Sequence, residues 1–130
     1  MIELSSRARS LFDAPNLAFI ATAMPDGAPQ VTPVWIALEN DYITVNTATG
    51  RTKERNMRRD PRVAISIAAT NDFYARTSVR GRVIEMIEGE EADRHIDALA
   101  LKYLGEERYP GHNDRERRVK VVIEPLTESP

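Results

Sequence analysis

The run YARTSVRGRVIEMI, Tyr74 to Ile87, reads as one long strand with a glycine, Gly81, in its interior. An interior glycine weakens a strand but admits the bend or bulge that closes a small barrel, and closure hides sheet edges. Working upstream, Thr70-Asn71-Asp72 reads as a loop and Val63-Ala64-Ile65-Ser66-Ile67-Ala68 as a buried strand. Before these, Arg51 to Arg59 has good helix formers and no internal Gly or Pro, and Asp60-Pro61 stops it, so a short basic helix is predicted. Tyr42 to Thr47 alternates like a half-buried strand and ends in Ala48-Thr49-Gly50.

Gln30 to Leu38 is predicted as one strand carrying Pro33 in its middle, which removes a ladder donor and points to an edge, bulge or bend. Pro25-Asp26-Gly27 supplies the turn that joins it to the apolar run Leu17 to Thr22. Leu4, Ala8, Leu11 and Phe12 repeat at helical spacing behind the candidate caps Ser5 and Ser6, and Pro15 ends that helix. Downstream of the long strand, Ala92, Ile96, Leu99, Ala100 and Tyr103 form a helical stripe, with acidic residues at its start and Gly105 at its end. Tyr103 and Leu104 are expected to pack this helix on the barrel. Val119 to Ile123 is the last predicted strand, stopping before Pro125. Turn-like links and few crossover helices favour a mainly β fold: about six antiparallel strands closed into a barrel, flanked by short helices. No G-x-G-x-x-G fingerprint is present.

Composition narrows the function. With 130 residues the chain is one domain's length. No apolar run approaches the roughly 20 residues of a membrane span, and Met1 to Ser5 lacks the pattern of a secretory signal, so a cytoplasmic protein without membrane contact is expected. The absence of Cys excludes disulfides, thiol nucleophiles and cysteine-ligated metals. His95 and His112 lie far apart without ligand-like neighbours, so no metal site is expected. A net charge of −2 and a basic run without interleaved aromatics argue against nucleic acid.

The positive charge nonetheless clusters: Arg51, Lys53, Arg55, Arg58, Arg59 and Arg62 share one short stretch. Within Asn46-Thr47-Ala48-Thr49-Gly50-Arg51-Thr52-Lys53, a strand end feeds a helix N-terminus. Unpaired backbone N–H groups and a positive dipole end meet two full cations there, which suits a phosphate. Taken without further context, a short basic helix is more often a solvated surface.

The chain resembles the pyridoxamine-phosphate-oxidase-like flavin and deazaflavin oxidoreductases, a split-barrel superfamily, and especially the branch that uses cofactor F420. The likeness runs nearly end to end, through Pro25-Asp26-Gly27, Pro29 to Trp35, Asn46-Thr47, Gly50-Arg51-Thr52-Lys53, Arg55-Asn56, Arg58 to Ala64, Gly81-Arg82-Val83 and Lys102 to Gly105. It implies that Arg51 and Lys53 grip the cofactor phosphate with Asn56 close by. It also implies that Thr32, Pro33 and Val34 pass the ring, while Asn46, Thr47 and Ala48 approach the ring and ribityl chain. A homodimer with sites at the subunit interface is expected, the partner's Phe73 and Tyr74 completing each pocket. F420 is the favoured cofactor, with Arg55, Arg58 and Arg59 available to its oligoglutamate tail; FMN is the alternative, as is a non-catalytic carrier or sensor. The expected chemistry is hydride transfer to a small-molecule acceptor, with no catalytic side chain required. Trp35 reads as packing, His95 as structural and His112 as part of a surface loop.

Overall fold

The computed structural model describes residues 1–130, Met1 to Pro130. Three helices and seven strands follow in the order α1 Ser6–Asp13, β1 Ala18–Ala23, β2 Pro29–Val34, β3 Ile36–Glu39, β4 Tyr42–Ala48, α2 Thr52–Arg59, β5 Arg62–Ala69, β6 Asp72–Ile87, α3 Glu90–Leu104 and β7 Arg118–Ser129. All strands join one antiparallel sheet, ordered β2-β1-β5-β6-β7-β4-β3. Its two edge strands, β2 and β3, are therefore consecutive in the chain and separated by Trp35 alone. Two peptide steps span at most about 7 Å, so the sheet has to curl until its edges meet. That curl is the split barrel.

One predicted strand thus becomes two, raising about six strands to seven. Pro33 is tolerated because β2 is an edge, and the break at Trp35 lets Pro29–Val34 pair with β1 while Ile36–Glu39 pairs with β4. The last strand also outruns its predicted end. Pro125 stands opposite Gly81, where the β6–β7 register slips between Arg80 and Gly81, so its missing N–H falls at an irregularity and β7 continues to Ser129. Gly81 is required there: a Cβ would come within 2.7 Å of the Ile123 side chain and 2.8 Å of the Glu124 carbonyl oxygen.

Alternation sends Ala18, Ile20, Val34, Ile43, Val45, Val63, Ile65, Ile67, Val79, Val119, Val121 and Ile123 into the barrel, where Phe12 and Leu11 of α1 and Met57 of α2 complete the core. Ser5 caps α1, its hydroxyl accepting from Ala8 N at 3.1 Å. α3 lies outside the barrel on β7 and β4, burying Ala92, Ile96, Leu99 and Ala100. Tyr103 binds the seam, accepting from Ile36 N at 3.2 Å and donating to Asn16 O at 2.6 Å. Lys102 donates to the carbonyls of Phe12 and Ile36, and burial draws its ammonium down to about 8. Leu104, expected to pack inward, is 53% exposed because it falls on the solvent side of the last turn. No helix is long and apolar enough to cross a membrane.

Candidate functional site

β4 delivers the chain to Gly50, and α2 starts at the rim of the barrel. Arg51 stands at the helix N-cap without a side-chain cap bond; Glu54 supplies one instead, its carboxylate accepting from Gly50 N at 2.8 Å. Arg51 and Lys53 both line a cleft of about 360 Å³ with Pro33, Val34, Trp35 and Asn46. Leu17, Ile96, Leu99, Tyr109 and Arg118 form the rest of its wall.

Three cations meet at this cleft with one carboxylate between them. Glu116 accepts from Arg51 Nη2 at 2.6 Å and from Arg118 Nη1 at 2.9 Å; mainly through the Arg51 bond, its carboxyl is held below the usual range. Lys53 has neither a hydrogen bond nor an acidic partner in the chain. Burial, then the charges of Arg51 and Arg118, lower its pKa from the ordinary value. A half-buried ammonium without a counter-ion is costly, and a bound anion relieves that cost.

Asn46 is already fully engaged. Its amide nitrogen donates to Ala92 O and His95 Nδ1, both at 3.0 Å, and its oxygen accepts from Arg118 Nε at 2.9 Å. His95 Nδ1 is thereby the acceptor, so Nε2–H donates to Thr44 Oγ1 at 3.0 Å. Burial, reinforced by the charge of Lys120, brings the His95 pKa down to about 4. His95 is structural, and the role of Asn46 at the cleft floor is to aim Arg118.

The remaining sequence-derived residues lie apart from the cleft wall. Asn56 is buried on the barrel side of α2, donating to Thr22 Oγ1 at 3.0 Å and accepting from Arg59 at 2.8 Å, which holds the helix on β1. Ala48 is buried opposite Arg118 in the β4–β7 ladder. Thr32 and Thr47 hold the two buried side-chain oxygens without a hydrogen-bond partner. Arg55 donates to Gly50 O, Arg58 to Glu54 and Glu88, and Arg59 to Ala23 O and Asn56, so each of the three candidate tail-binding arginines has an internal partner. The site fits a phosphorylated group on the evidence of Lys53, an unpaired cation beside an apolar wall.

Sequence reasoning missed Arg118, Tyr109, Leu17, Ile96 and Leu99. Arg118 alone left a signal, as a charge heading an apolar strand; the others enter only through long-range packing. Trp35, read as packing, does stack on Tyr103 with centroids 5.5 Å apart, yet it also faces the cleft.

An antiparallel split barrel with a cationic cleft at its seam defines a class of small β proteins built to hold an anionic ligand where the two sheet edges meet. The chain belongs to the pyridoxamine 5'-phosphate oxidase family, whose family model matches residues 4–128. Among solved structures it is similar to an F420 reductase, with 29% identity and a TM-score of 0.83 over 93% of this chain and 94% of that one. A conserved hypothetical protein from Mycobacterium tuberculosis shares 23% identity at a TM-score of 0.76, covering 98% and 84% of the two chains. A putative pyridoxamine 5'-phosphate oxidase from Lactobacillus delbrueckii shares 20% at 0.66, covering 98% and 94%. A search of curated proteins returned no match.

Proposed function

We propose that this protein is an oxidoreductase that uses cofactor F420 to reduce a small organic acceptor, working as a homodimer. The observation that carries the reading is Lys53, a cation without a partner, beside Arg51 at the start of α2 and facing the cleft that Pro33 and Val34 also line. Arg51 and Lys53 hold the phosphate, assisted by the free amides of the first turn of α2. Pro33 and Val34 offer an apolar edge for a ring, while Leu17, Ile96 and Leu99 exclude water. When bound, the reduced cofactor supplies the hydride. The chain's residues supply position, charge and dryness.

F420 is preferred on the likeness to an F420 reductase. FMN is the second reading, and one observation favours it: Arg55, Arg58 and Arg59 are spent on internal bonds, so the extra charge on an oligoglutamate tail finds no free arginine on α2. Titrating the purified protein with each cofactor in a calorimeter decides between them. Lys53→Ala and Arg51→Ala are each expected to weaken binding by about tenfold or more with the melting temperature unchanged, whereas Glu3→Ala, exposed and outside the cleft, leaves affinity intact. Equal affinity in wild type and both cleft variants refutes the phosphate site.

A further inference from the structure

Between α3 and β7, the segment Tyr109-Pro110-Gly111-His112 forms a turn closed by His112 N donating to Tyr109 O at 3.2 Å. Proline at the second position suits such a turn. Both of its ends are tied to one atom. Asp97 Oδ1, on α3, accepts from Tyr109 N at 2.7 Å and from His112 Nε2 at 2.8 Å. Asp97 follows Ile96, which lines the cleft, so the wall and the clamp for the turn are neighbours on one helix.

The turn presents the Tyr109 ring to the cleft. It stands at 88° to Trp35 with centroids 6.0 Å apart, while Arg118 lies 5.3 Å from its centroid. Two ring planes thus meet in a right-angled corner on the same wall as the cleft's cations. Gly111 makes room for it: a Cβ there would fall 2.5 Å from both Cζ and Oη of Tyr109, so a side chain at 111 pushes the ring away. The phenol forms no hydrogen bond in the chain, so only packing and the Asp97 clamp fix the ring.

We propose that Tyr109 sets which acceptors the cleft admits, favouring flat conjugated ones, and that Asp97 is its positioning residue. A planar molecule lies flat on one ring of the corner and abuts the other, whereas a puckered one fits neither. The assignment rests on the cleft being the redox site proposed above.

The test uses Trp35, the chain's single tryptophan, as reporter. In cofactor-free protein, Asp97→Ala and Gly111→Ala should raise acrylamide quenching of its emission roughly twofold as the turn loosens or the ring shifts. Asp97→Asn retains a side-chain oxygen acceptor and should restore the wild-type value; Tyr109→Phe should match it too. With cofactor-loaded protein, the preference in kcat/KM for menadione over 2-cyclohexen-1-one should fall on the order of tenfold in Asp97→Ala, Gly111→Ala and Tyr109→Ala. The loss should appear in KM for menadione rather than in kcat, and Asp97→Asn and Tyr109→Phe should keep the preference. Wild-type protein that binds neither F420 nor FMN defeats the redox reading before any variant is made. Once wild-type binding is established, unchanged quenching in Asp97→Ala and Gly111→Ala, or an unchanged preference, overturns the role of Tyr109 alone.

Discussion

At the scale of the residue, two titratable side chains whose pKa burial lowers, one on α3 and one on α2, have opposite fates. His95 is buried and committed to Asn46 and Thr44, and its pKa is about 4 against an ordinary 6.5. Between those values the unfolded chain binds a proton that the folded chain refuses. Stability from His95 is therefore complete above about pH 6.5 and is lost as pH falls toward 4, with no further loss below. The difference corresponds to roughly 3 kcal/mol. Unfolding free energies from denaturant titrations at pH 7.5 and pH 4.5 should differ by part of that amount, and His95→Gln should flatten the dependence; an equal pH slope in that variant would assign the loss to other groups. Lys53 is also lowered by burial, but lacks the partners that make His95 inert. The sequence marked Lys53 and Arg51 because cations at a helix start are a local pattern. It did not mark the locking of Asn46, which depends on Arg118, 72 positions away.

At the scale of the element, legibility followed locality again. The three helices were readable from caps, stripes and breakers within a turn or two of each other, and α2 began one residue from its expected start. Gly81 was readable as a bulge because glycine inside a strand has few other uses. The seven-strand count was not, since Trp35 looks like any strand interior until β2 and β3 choose different partners. Replacing Gly81 by Val tests the bulge. Its side chain collides with Ile123 and the Glu124 carbonyl, and overpacking of this kind costs about 1–3 kcal/mol. Urea unfolding should show that loss, whereas Glu85→Val, four residues away on an exposed position of the same strand, should be nearly neutral.

At the scale of the whole molecule, one face of the barrel has no cover. Phe19 and Val31 on β1 and β2 are 45% and 61% exposed, flanked by Ala21, Ala64, Ser66 and Ser78, around a hollow of about 320 Å³. Phe73 and Tyr74 project from the β5–β6 hairpin, 74% and 84% exposed. An apolar surface of small and aromatic residues suits a second copy of the chain, which is the support for the proposed homodimer. Sedimentation velocity is expected to give a dimer at micromolar concentration, and Val31→Glu a folded monomer with weaker cofactor affinity. A wild-type monomer at that concentration would end the dimer proposal.

The single residue between the two edge strands has a geometric consequence. Six of the seven strand-to-strand steps around the barrel are ladders that tolerate a change of length in the loops beyond them. The seventh is a bare covalent joint, and its span fixes the circumference. Substituting Trp35 alters an aromatic surface, but inserting a residue beside it lengthens the hoop. The cleft proposed as the redox site lies across that same joint, lined by Pro33, Val34 and Trp35, so its width is set by chain length as well as by packing.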